Sequence, residues 1–264
     1  MALDSNQLAD LRDRHQLVRD RIAAASARAK RRLDEITLVA VTKTATVDQI
    51  LGLIDLGQHD LGENRVQQLM DRAQAVSAAR PVRTTHAGPH CAHVPNSPIP
   101  DAPIPNTAPR WHMIGHLQRN KVRDVVPLVT LIQSVDSLRL AQEIESFCTK
   151  RGAGIDVLLQ VNIADEEQKF GLAAAEVEPL AQQIAAEMPH LRLRGLMTMA
   201  PYSDRAEDSR PVFAQTAAIF HELKSRPWIG GAFDRLSMGM TNDFEVAIQE
   251  GANILRVGRA LFEV

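Results

Sequence analysis

From residue 36 onward, apolar and β-branched residues fall in short, nearly unbroken runs, separated by stretches in which apolar positions recur at helical spacing. Eight runs stand out: ITLVAVT, HDLG, RWHMIG, LIQSV, DVLLQVN, RLRGLMTM, DRLSMG and NILRVG. A strand with one wet face alternates apolar and polar residues, whereas a parallel strand covered on both faces reads as continuous apolar sequence. Eight such runs with helical stretches between them predict a (β/α)8 TIM barrel, and the 264-residue length suits that fold's usual span of about 250. Ahead of the first strand, Leu8, Leu11, Val18 and Ile22 share one face of an extra N-terminal helix, expected from Ser5 to about Arg32.

Local punctuation agrees with this division. Thr46 to Gln49 fits a capping box, Gly57 and Gly152 sit where helix C-terminal caps are needed, and Pro211 suits a first helical turn. Residues 81–109 break the pattern: proline-rich and without apolar periodicity, they are expected to form a flexible insertion in a single domain spanning 1–264. His86, His90, Cys91 and His93 lie in this insertion, but a proline-rich loop lacks the hydrogen-bonded surroundings that fix metal ligands, so no metal site is expected.

Charge narrows the choice of partner. Lys plus Arg number 30 against 32 Asp plus Glu, a formal charge of −2, and no basic field is available to attract nucleic acid or an anionic membrane surface. Cys91 and Cys148, far apart, give no disulfide framework and suit a reducing compartment. The charged N-terminus and the lack of a long apolar run argue against a signal peptide or a transmembrane helix, so a cytoplasmic location is expected.

In barrels of this type functional groups gather at the C-terminal ends of the strands, and phosphate is commonly held by the loops after strands 7 and 8. Lys43 ends the first strand. Ser237, Gly239 and Thr241 follow the seventh in LSMGMTNDF, and Gly258 follows the eighth in LRVGRALF. Hydroxyls and closely approachable backbone N–H groups form a phosphate cup facing a lysine. Lys43 would act as an amine nucleophile only from a partly desolvated or cation-flanked position. Amine plus phosphate cup is the combination that pyridoxal 5′-phosphate requires. The same residues also fit a lysine that snorkels from the strand beside a turn that merely reverses the chain, and spacing leaves both readings open.

Read together, VAVTKTATVDQI, LGENRVQQL, WHMIGHLQRNKV, SVDSLRLAQEI, VNIADEEQKFGL, RGLMTMAP, LSMGMTNDFEVAIQEGANILRVG and ALF resemble the pyridoxal phosphate homeostasis protein family, also called YggS or PROSC. The resemblance implies an alanine-racemase-like barrel (the N-terminal domain type) that carries pyridoxal phosphate as an imine on Lys43. It further implies a role in vitamin B6 and amino-acid homeostasis without established catalysis. Carried over, it puts the phosphate on Ser237, Gly239 and the Val257–Gly258 backbone, and a cation, Arg256, beside the pyridine nitrogen. It places Asn64 and His116 near the pocket and gives Lys169 a part in cofactor handover. Asn64 also reads as a helix N-cap, His116 as a turn residue and Lys169 as a solvated loop lysine.

Three positions depart from the family pattern: Ala45 where a second lysine is frequent, Arg65 where tyrosine is frequent, and Arg259 where a small hydroxylic residue is usual. Expected partners are pyridoxal phosphate and the apoenzymes that use it, with a monomeric protein. Two other readings compete. One is a pyridoxal-phosphate-dependent amino-acid racemase, which needs a second acid/base group; the one tyrosine, Tyr202, lies in a loop, and no racemase-type β-domain is expected after Val264. The other is an interaction protein with no cofactor.

Overall fold

The computed structural model describes residues 3–80, 108–163 and 170–263. The histidines and Cys91 of the proline-rich insertion, and Lys169, lie outside the described residues. Eight strands close in chain order into one parallel barrel: β1 (Thr37–Val41), β2 (Asp60–Glu63), β3 (Arg110–Met113), β4 (Leu131–Val135), β5 (Ile155–Val161), β6 (Leu191–Thr198), β7 (Arg235–Ser237) and β8 (Ile254–Val257). Each falls on one of the apolar runs, with a one-residue displacement at the start of β5 and β6 and at the end of β2. The seam joins the two ends of the barrel, with Thr37 beside Ile254 and Ala40 beside Val257.

The surrounding helices are α1 (Ser5–Arg28), α2 (Val47–Asp55), α3 (Val66–Ala79), α4 (Val122–Val125), α5 (Leu138–Arg151), α6 (Ala174–Glu187), α7 (Arg210–Lys224), α8 (Phe244–Gln249) and α9 (Arg259–Phe262). Thr46 and Gln49 make the expected reciprocal cap on α2, and Gly152 takes the left-handed conformation that ends α5. The leading helix stops at Arg28, short of the expected Arg32. Lys30 adopts a left-handed φ of 55°, and Arg31 turns back to donate to the carbonyls of Ile248 and Ala252. Those carbonyls, at the end of α8 and just beyond it, reward the break.

The buried apolar residues form two clusters. A small one, Val39, Leu131, Leu158, Met197 and Ile254, occupies the barrel interior, and a large one lies between strands and helices. The interior also encloses a connected set of polar side chains, His112, Gln133, Ser237 and Arg256, where such barrels usually stack bulky apolar layers.

α1 packs on α2, α8 and α9. Leu11 is fully buried there, and Gly52 of α2 leaves room for it: a Cβ at Gly52 would meet Leu11 Cδ2 at 3.0 Å. Arg21 makes a two-pronged pair with Glu245 at 3.0 and 3.2 Å, and Arg14 donates to the Leu261 carbonyl at 3.2 Å. Leu11→Ala should therefore cost about 2–5 kcal/mol in urea denaturation, as for a buried leucine in a site that cannot collapse. A loss below about 1 kcal/mol would show that α1 is not part of the packed unit.

Candidate functional site

A cavity of about 470 Å³ opens at the C-terminal ends of the strands, with Lys43, Asn64, Tyr202, Thr241, Arg256 and Gly258 on its wall. A second cavity, of about 370 Å³, opens beside α1 among Arg19, Asp20, His59 and Asp60. It has no lysine on its wall and lies where strands begin, the end of such barrels that serves stability. The chemistry belongs to the first.

β1 ends at Val41, and Lys43 follows on the exposed loop to α2. It is exposed, so burial does not supply the partial desolvation that was one of the two conditions for an amine nucleophile here. The loop backbone is nevertheless held. Arg72 of α3 donates Nη2–H to the carbonyls of Lys43 and Ala45, each at 3.1 Å, while its Nη1 pairs with Glu63. Glu63 is completely buried, accepts from the Thr42 hydroxyl through the same oxygen, and leaves Oε2 without a hydrogen-bond partner. Burial pushes its carboxyl above the ordinary value, against the pull of Thr42 and Arg72.

Opposite the lysine stands Arg256, only 3 % exposed. Its Nη1 donates to Ser237 Oγ and its Nη2 to the Thr198 carbonyl at 2.8 Å. Burial brings its pKa down to about 10, with the Asp243 carboxylate opposing the shift. It is still a cation at neutral pH.

Four of the eight residues expected at the site, Lys43, Asn64, Arg256 and Gly258, come together on the cavity wall, joined by Thr241. Asn64 does not cap α3, whose N-cap position is Arg65. Ser237, expected at a phosphate, lies beneath the cavity with its hydroxyl committed to Arg256 and Gln133. Val257 is buried in β8, and Gly239, also buried, turns the chain above it. A left-handed φ of 86° and the nearness of Ala247 and Phe244, which a Cβ would meet at 2.6 and 2.8 Å, require glycine at 239. His116 is off the wall: its ring stacks on Phe170 at 3.8 Å and its Nδ1 lies 2.8 Å from Asp136 Oδ2.

At the rim, the Arg259 guanidinium sits 6.0 Å from the Tyr202 ring centroid, and the Tyr202 hydroxyl donates to Asp204 at 3.1 Å. Glu63, Arg72, His112 and Gln133 are the residues sequence reasoning missed. Polar side chains at His112 and Gln133 inside otherwise apolar runs were the available signal for two of them.

The donor set suits a small anionic ligand bearing a carbonyl: one amine, a guanidinium held in the core, a threonine hydroxyl and the approachable backbone at Gly258. The volume is that of an ordinary small-molecule site. These are the groups pyridoxal phosphate requires, so the residues present fit it.

Residues 18–264 match the family model described as alanine racemase, N-terminal domain. The pyridoxal phosphate homeostasis protein of Escherichia coli K12 is 37% identical over 247 residues, covering 93% of this chain and 92% of its own. A crystal structure of an unknown protein from Bifidobacterium adolescentis superposes with a TM-score of 0.84 at 33% identity, over 99% of this chain and 98% of that one. PipY of Synechococcus elongatus PCC7942, solved with PLP bound, gives a TM-score of 0.71 at 29% identity, over 93% of this chain and 99% of that one.

The Glu63–Arg72 pair yields a stability prediction. Arg72→Met should cost about 3–5 kcal/mol by leaving Glu63 buried without its cation, and adding Glu63→Gln should recover part of that loss in urea titrations. Because the folded pKa of Glu63 lies above the ordinary 4.5, the native state binds its proton more tightly than the unfolded chain does. That contribution is complete below the unfolded value and is lost as pH rises through the folded one, so Glu63→Gln should flatten the stability curve just above pH 4.5.

Proposed function

The chain belongs to the pyridoxal phosphate homeostasis protein family, and from that premise we propose that its barrel holds pyridoxal 5′-phosphate reversibly on Lys43, to buffer it or deliver it to apoenzymes. The observation that carries this reading is the pairing of Lys43 with the enclosed Arg256 across one open cavity at the C-terminal end of the barrel. Pyridoxal phosphate supplies, when bound, an aldehyde that condenses reversibly with a primary amine and a phosphate that anchors the ring.

The chain's own residues divide the work. Arg72 and Glu63 fix the backbone from which the Lys43 side chain springs, so the amine approaches from a set direction. Arg256, cationic and able only to donate, offers N–H groups to a ring acceptor and does not take up a proton from it. Thr241 and the Gly258–Arg259 backbone are the donors assigned to the phosphate, and Arg259 brings a charge where the family has a hydroxyl. Glycine at 258 lets this segment lie against β1, where a Cβ would meet the Val41 carbonyl at 3.1 Å.

The mouth is open: Lys43 is exposed and Tyr202 is 72% exposed. An open mouth favours exchange of the ligand with solvent over the exclusion of water that carbanion chemistry needs. A racemase would also need a second acid/base group facing the first, and the Tyr202 hydroxyl is turned to Asp204 at the rim. The reading is therefore a carrier without amino-acid turnover, acting as a monomer in the cytoplasm. No helix among the described residues is long and apolar enough to cross a membrane.

Borohydride reduction of the loaded protein followed by peptide mapping should place the pyridoxyl label on Lys43. Lys43→Ala should lose the visible absorption band while its urea midpoint stays within about 0.5 kcal/mol of the parent, as for an exposed loop residue. A label confined to another lysine would overturn the assignment. In deuterium oxide, L-alanine and L-serine should show no turnover-scale exchange of the α-proton, and exchange that vanishes in both Lys43→Ala and Tyr202→Phe would restore the racemase.

A further inference from the structure

The polar side chains inside the barrel form one connected chain, and its donor–acceptor order follows from chemistry. A guanidinium has only donors, so Ser237 Oγ accepts from Arg256 and its own proton goes to Gln133 Oε1, 2.7 Å away. With Oε1 turned to Ser237, the Gln133 amide nitrogen points to His112 Nδ1 at 2.8 Å. An amide N–H can only donate. His112 Nδ1 therefore carries the lone pair, and the ring proton sits on Nε2, 3.3 Å from Asp60 Oδ1.

Asp60 in turn is anchored by Arg110, its partner in the β2–β3 register, through Nε at 2.8 Å and Nη2. Burial would raise the Asp60 pKa, but the hydrogen bonds from His112 and Arg110, with the Arg110 charge, outweigh it and hold the group well below the usual carboxylate range. Every donor from the cavity floor to the far end of the barrel thus points the same way, from a cation to an anion. Reversing any one amide or ring would set two protons or two lone pairs face to face. The four residues between the cavity and Asp60 are all buried, so water cannot repair such a mismatch.

We propose that Gln133 and His112, oriented from the opposite end of the barrel by Asp60, are positioning residues for Arg256: they fix which of its N–H groups face the cavity and so set the hydrogen bond offered to a ring-nitrogen acceptor. The inference rests on the pyridoxal phosphate reading. Of the guanidinium's anchors, the Thr198 carbonyl is backbone and can only accept, whereas Ser237 accepts correctly only while Gln133 takes its proton. Remove that acceptor and the serine hydroxyl is free to turn its proton toward Arg256. The guanidinium then swings on one anchor.

The test compares pyridoxal phosphate with its 1-deaza analogue, which has the same shape and carries C–H where the cofactor has the ring nitrogen. The parent protein should prefer pyridoxal phosphate by about tenfold, the scale of one hydrogen bond to a charged group. In Gln133→Met and His112→Leu that ratio should fall to about twofold, with a shift of the visible absorption maximum. His112→Asn, which keeps an acceptor near the position of Nδ1, should retain most of the preference.

A purely structural role would lower the melting temperature of all three variants and leave the ratio and the spectrum at their parental values, which would overturn the proposal. A parent that binds both ligands equally would overturn it too, with the cofactor reading intact. A parent that binds neither would bring down the cofactor reading and this inference with it. Should Gln133→Met fail to fold, the two His112 variants carry the same comparison.

Discussion

A guanidinium enclosed in the core of a parallel barrel is the constraint around which the interior is built. Taking such an ion out of water costs several kcal/mol unless each of its contacts is met. Arg256 is met by a backbone carbonyl of β6 and by a column of side chains from β7, β4, β3 and β2. The apolar interior residues, Val39, Leu131, Leu158, Met197 and Ile254, fill what the column leaves. Because side chains alternate between the two faces of a strand, a slip of one residue in any of these strands would pull a member of the column out of the barrel. The column therefore enforces register as well as balancing charge.

The two halves of the site are stiffened by different means. Arg256 is held from within the barrel, by groups no solvent reaches. Lys43 is held from outside, by a helix side chain that grips the loop carbonyls while its own charge is answered by buried Glu63. One half is rigid to its tip. In the other, the backbone is pinned and an exposed side chain extends from it. The proposed carrier role would use that division, a firm contact for the ring beside an exposed amine for its aldehyde.

How much of this was readable in advance depends on the kind of force involved. The eight strands were visible because burial on both faces writes itself as unbroken apolar runs, and Lys43 and Gly258 were visible because they follow such runs at strand ends, whereas Arg256 came only from the family resemblance. The early end of α1 was not, since it depends on Arg31 finding carbonyls more than two hundred residues away. Ser237 illustrates the opposite error. Its hydroxyl type and loop-end position suited a phosphate, but orientation across a strand is decided by the pleat, and the pleat turns it inward to Arg256. Arg72 carried no signal, because a helix arginine four or more residues from a loop in sequence is indistinguishable from a solvated one.

The seam between β1 and β8 also sets a schedule. Lys43 emerges early in synthesis and Gly258 late, and the strands that carry them are neighbours only once the barrel has closed. Contacts so distant along the chain are the slow ones in folding. On the ribosome the lysine therefore waits while more than two hundred residues are added, and the arginine column assembles only when β8 arrives. Until then the cavity wall lacks Arg256 and Gly258, so the candidate site exists only in the closed barrel.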